Sequence, residues 1–126
     1  MPISWQDIQR ADGNLFIMTG LKALGMIVHA TAESHGFWAG PDDPPDNPAE
    51  KIALMHSELS EALEAVRHSD PPDSHIPPFT GQEAELADCL IRILDYAHHY
   101  KLRLPEAVIA KNRFNEQRPF KHGKAF

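Results

Sequence analysis

Residues 47–68, NPAEKIALMHSELSEALEAVRH, and residues 80–99, TGQEAELADCLIRILDYAHH, decide the fold. In the first stretch Asn47 can cap a helix, Pro48 can take its first position and Glu50 complements the positive end of the helix dipole. Ile52, Met55, Leu59, Leu63 and Val66 then recur at helical steps and predict one apolar face through about His68. In the second stretch Thr80 and Glu83 have the spacing of a capping box, after which Leu86, Leu90, Ile93, Leu94 and Ala97 carry a helix toward Arg103.

Outward from this pair, two proline-rich interruptions, AGPDDPPDNP at 39–48 and DPPDSHIPPFTG at 70–81, cannot continue a helix and act as connections within one domain spanning 1–126. Before them, 4–37 reads mostly as helix, with Ser4 as cap and Ile17, Leu21, Leu24 and Val28 at helical intervals. Gly13, Gly20 and Gly25 leave open whether this is one rod or two shorter helices. Pro105 starts a fourth helix that runs to about Gln117. The few β-branched residues sit inside helical patterns, so the expected architecture is all-α: a compact antiparallel assembly of about four helices. A chain this short buries only about two thirds of its unfolded surface, which makes self-association a natural way to cover remaining apolar faces.

Composition narrows the partners. The 126 residues carry 12 Lys and Arg against 18 Asp and Glu, a formal charge of -6, which disfavours a general nucleic-acid binder. Cys89 is the one cysteine and has no partner for a disulfide within the chain, which is compatible with a reducing cytoplasm. The N-terminus lacks the pattern of a signal peptide, and no stretch is expected to reach the roughly 20 apolar residues of a membrane span.

Two carboxylate pairs carry the chemistry. Glu58 and Glu61 lie three residues apart on the second helix, and Glu85 and Asp88 repeat the spacing on the third. Packed against each other, these helices could gather four oxygen donors around one cleft, and their mutual repulsion would favour a hard cation such as Mg²⁺ or Mn²⁺. The same residues also suit solvated helix flanks, which is the reading their spacing alone favours. A basic segment, KNRFNEQRPFKHGK at 111–124, complements the acids: Lys111, Arg113, Arg118, Lys121 and Lys124 can clamp phosphate oxygens, and Asn112 and Asn115 can meet a sugar or base edge. Its alternative is a solubilising tail. His56, His98 and His99 lack the spacing of a closed zinc site. Trp5, Phe37 and Trp38 suit a base pocket, a subunit contact or helix-end packing, and Cys89 suits helix packing better than nucleophilic attack.

The ordered set ELSE, ELAD and K-N-x-x-N-x-x-R-P-x-K-H-G-K-x-F resembles the MazG-like nucleoside triphosphate pyrophosphohydrolases of the all-α pyrophosphatase superfamily. The resemblance runs directly from Asn47 to Phe126 and implies a helical fold whose EExxE and ExxD motifs bind Mg²⁺, in dimers or dimer-based tetramers with sites at subunit contacts. It assigns Glu58, Glu61, Glu85 and Asp88 to metal binding and catalysis, and makes Lys111, Asn115, Arg118, Lys121 and Lys124 candidates for positioning a ribo- or deoxyribonucleoside triphosphate. The implied reaction is attack of water at the α-phosphorus, giving a monophosphate and pyrophosphate. Ser57 stands where the family often has an acid, and could reach a ligand through water. A competing reading keeps the helical fold without catalysis, its charged surfaces selecting a protein partner.

Overall fold

The computed structural model describes residues 11–123 and 125. Four helices form an all-α bundle: α1 (Ala11–Ser34), α2 (Pro48–Arg67), α3 (Gly81–His99) and α4 (Leu104–Glu116), followed by a 3₁₀ turn at Phe120–Gly123. The central helix is α3, which packs against both α2 and α1, while α4 rests on α1. The proposed cap Ser4 and the side chain of Trp5 lie outside the described residues.

The first segment is one rod through Gly20 and Gly25 over its described length. A side chain at Gly25 would sit 3.4 Å from the Leu94 carbonyl of α3, so glycine permits a close approach of the two backbones. The rod stops at Ser34 rather than Phe37, because Gly36 turns left-handed (φ 77°) and the Phe37 and Gly36 amides donate back to the Ala32 and Glu33 carbonyls. This is a Schellman closure.

The signals flanking α2 and α3 act as their chemistry dictates. Asn47 accepts from the Ala49 amide at 3.0 Å with Pro48 in the first turn, and Thr80 and Glu83 form a reciprocal capping box. α3 ends at His99, short of the expected Arg103, because Lys101 adopts φ 54° and lets the Leu102 amide close on Ala97. The second connection is folded tightly, with an isolated antiparallel bridge between Pro72 and Thr80 and the Gly81 amide donating to Pro71.

Packing departs from the expected core. Among the described residues the buried apolar ones are Val28, Trp38, Ala62, Ala84, Cys89, Leu94 and Ala97, so α2 and α3 meet through small side chains, and Cys89 is a packing residue as its size suggests. Leu59, Leu63 and Val66, read as core positions of α2, are each about half exposed (48%, 51% and 49%), and Ile52, Leu86 and Leu90 are exposed too. The periodicity is real, but among the described residues that face stays half exposed.

One further expectation is corrected. Gly13–Ser34 of α1, 22 residues that include an 18-residue window of mean hydropathy 1.5, is long and apolar enough to cross a membrane by length and composition. Isolated polar residues such as Lys22 and His29 break the run to the eye without lowering its average enough. In the bundle these same residues make polar contacts, Lys22 with Glu106 at 2.6 Å and His29 with Asp95 at 2.7 Å.

Candidate cation site

The seam of small residues between α2 and α3 brings their acids together. Glu58 is 7% exposed although charged, and lies one turn from Ala62, the residue that lets the helices close. Glu58 and Glu61 from α2 and Glu85 from α3 each offer a carboxylate oxygen, all within 4.8 Å of one another. Asp88, one turn beyond Glu85, is exposed at the edge of this group.

The electrostatics follow from crowding. Glu85 is pushed up from its ordinary 4.5 to about 7, first by burial, then by the charge of Glu61, by hydrogen bonding toward Glu58, and by the charges of Glu58 and Asp88. Burial and then the Glu58 charge also raise Asp88, against the pull of Arg92. Arg92 is the partial counterion: its Nε donates to Glu58 Oε1 at 2.6 Å. Sequence reasoning missed Arg92, although Glu85, Asp88, Arg92, Asp95 and His99 follow one another at three- and four-residue steps along a single face of α3.

The donor set fits a hard divalent cation. Oxygens around Mg²⁺ at about 2.1 Å stand roughly 3–4 Å apart, so modest side-chain rotation would bring these three carboxylates into range. No sulfur competes, because Cys89 is buried with its thiol directed at the Met55 carbonyl. Ser57, at the departed motif position, donates its hydroxyl to the Leu54 carbonyl at 2.6 Å.

A cavity of about 400 Å³ opens beside the acids, with Asp88 and Arg92 on its wall, and is lined elsewhere by α1, by Phe37 and Trp38 of the first connection, and by Tyr96. Trp38 is buried; its indole N–H donates to Asp95 at 2.9 Å and its ring stacks on His99 at 3.6 Å. Lys111 and Asn115 instead border a separate shallow depression on α4 with Leu104 and Val108. Lys111 and Arg118 lie over the Phe114 ring, and Lys121 over Phe120. Within one chain, the described part of the basic segment contributes nothing to the cavity beside the acids. Lys124 lies outside the described residues.

Fold and cluster together define an all-α four-helix bundle with a three-glutamate candidate cation-binding surface. Compared with family models, curated proteins and solved structures, the chain finds no match.

Proposed function

We propose that the chain is a Mg²⁺-dependent nucleoside triphosphate pyrophosphohydrolase of the MazG-like type, cleaving between the α- and β-phosphates to release a nucleoside monophosphate and pyrophosphate. The observation that carries this reading is the convergence of Glu58 and Glu61 with Glu85: two short motifs separated by a proline-rich connection meet on facing helices. A bound Mg²⁺, or Mn²⁺ in its place, supplies charge neutralisation and a more acidic water. Glu58, Glu61 and Glu85 hold the ion, with Asp88 at the rim toward the cavity. Arg92 fixes one Glu58 oxygen and limits how far that carboxylate can swing. The exposed apolar positions of α2 and α3 join copies of the chain into a homodimer or dimer-based tetramer, and the basic residues Lys111, Asn115, Arg118, Lys121 and Lys124 then serve the phosphates of a neighbouring subunit's site.

The engagement of Ser57 with its own helix favours a second reading, a helical interaction protein without turnover, since the first motif then has one acid fewer. One assay separates the two. Purified protein is incubated with Mg²⁺ and a panel of ribo- and deoxyribonucleoside triphosphates, with folded Glu61→Gln and Asp88→Asn as controls. Monophosphate and pyrophosphate above the controls are expected. No turnover across the panel leaves the interaction reading, and diphosphate with phosphate would place cleavage at the wrong bond.

A further inference from the structure

Asp95 stands two turns beyond Asp88 on α3 and forms part of the cavity wall. Its Oδ1 takes two hydrogen bonds, paired with His29 Nδ1 at 2.7 Å and accepting from Trp38 Nε1 at 2.9 Å. Oδ2 meets no donor among the described residues, and it is not sealed from solvent. A half-buried carboxylate thus spends one oxygen on holding its neighbours and keeps the other as an acceptor beside a cavity of ligand size.

Asp88 and Tyr96 share this wall, while Trp38, His99, Lys51 and Arg92 are engaged with one another or with their own partners. His99 lies 3.6 Å from the Trp38 ring, nearly parallel to it, which fills one indole face. The Lys51 ammonium, 4.3 Å from the same ring centroid, must therefore take the opposite face. Lys51 also donates to the Phe37 carbonyl and pairs with Asp46 at 3.5 Å. Trp38 is consequently a clamped wall, held at its edge and on both faces, with no face open for stacking. Arg92 is drawn toward Glu58.

We propose that Asp95 is a specificity-determining residue: its Oδ2 accepts a hydrogen bond from the exocyclic amino group of a nucleobase, so that the cavity prefers amino-bearing bases over their oxo counterparts. A carbonyl oxygen in that place would set lone pair against lone pair beside a carboxylate, and a mismatch of donor and acceptor discriminates more sharply than a missing methylene. The inference takes the nucleotide from the proposed function but does not depend on turnover.

The test is calorimetric titration of the unmutated protein, in Mg²⁺, with non-hydrolysable α,β-imido analogues of CTP and UTP, and of ATP and ITP. Within whichever pair binds, the amino member is expected to bind about tenfold or more tightly. A pyrimidin-2-one analogue lacking the 4-amino group should lose the advantage of the CTP analogue, which tests the contact without any mutation. In Asp95→Asn the amide oxygen can keep His29 and Trp38 while the NH₂ turns to the cavity, so the order should reverse in favour of the oxo base; a purely structural role would weaken both members alike. Equal affinities within each pair, an unchanged order in a folded Asp95→Asn, or no binding by any analogue overturns the proposal. Hydrolysis is scored separately, so failed catalysis and failed base selection are distinguishable.

Discussion

Replacing Glu85 with Gln should stabilise the cation-free protein at pH 8, although the side chain takes part in a polar cluster. The folded state lifts Glu85 from its ordinary 4.5 to about 7. Protonation therefore favours folding: stability linked to Glu85 is fully present below pH 4.5 and is lost as pH rises toward 7. At about 1.4 kcal/mol per pH unit the full shift corresponds to roughly 3 kcal/mol. Solvent screening at this partly open site reduces it to about 1–2 kcal/mol. Gln is uncharged at every pH and keeps the side-chain length, so Glu85→Gln should raise the melting temperature by roughly 3–10 °C at pH 8 in EDTA. At pH 4.5 the gain should largely disappear, because the wild-type carboxyl is then protonated too. Adding Mg²⁺ at pH 8 should raise the wild-type melting temperature more than that of the variant, since the ion offsets the same repulsion. Equal destabilisation of the variant at both pH values in EDTA would refute the reasoning.

Three other outcomes follow from the same geometry. Arg92→Leu strands the buried Glu58 charge and should cost about 2 kcal/mol in urea unfolding, with much of the loss recovered in Arg92→Leu/Glu58→Gln; an additive double variant would argue against coupling. His99 is pushed down first by burial and then by His29, so the folded state resists protonation and stability should fall as pH drops below 6.5; His99→Phe keeps a ring on Trp38 and should flatten that loss in melting curves between pH 7.5 and 5.5. Leu59→Asp/Leu63→Asp places charges on the half-exposed face of α2 and should break the proposed self-association, read as a fall in mass by light scattering relative to the unmutated protein, whereas an unchanged mass would exclude that face as the contact.

The helix limits were legible wherever a local chemical signal sets them. Asn47-Pro48 and Thr80-x-x-Glu83 mark starts that depend on nearby side chains, and both start as read. The ends of α1 and α3 were less legible, because Gly36 and Lys101 stop them through backbone closure, and a left-handed lysine leaves little trace in sequence. The acidic triplet was readable as two helical spacings, but its convergence required knowing that Ala62, Ala84 and Cys89 form the seam. Asp95 was hidden for a related reason: its partners, His29 and Trp38, lie 66 and 57 residues away. Periodicity showed which residues of α2 share a face, but not that the face would stay half exposed among the described residues.

The small-residue seam connects the site to the uncovered surface. Helices meeting through alanine and cysteine can approach to about 8 Å, near the lower end of helix-pair spacings, and at that distance carboxylates from both can converge. Such a seam removes little apolar area from water, so it contributes less to stability than a leucine interface would. Leu59, Leu63, Val66, Leu86 and Leu90 flank it and stay half exposed, holding apolar area that only a further surface can bury. The repulsion within the acidic triplet adds to that deficit. A bound cation would offset the repulsion and an apposed copy would cover the leucines, so under the proposed function ion binding and self-association should each strengthen the fold, and each should strengthen the other wherever both require α2 and α3 in this packing.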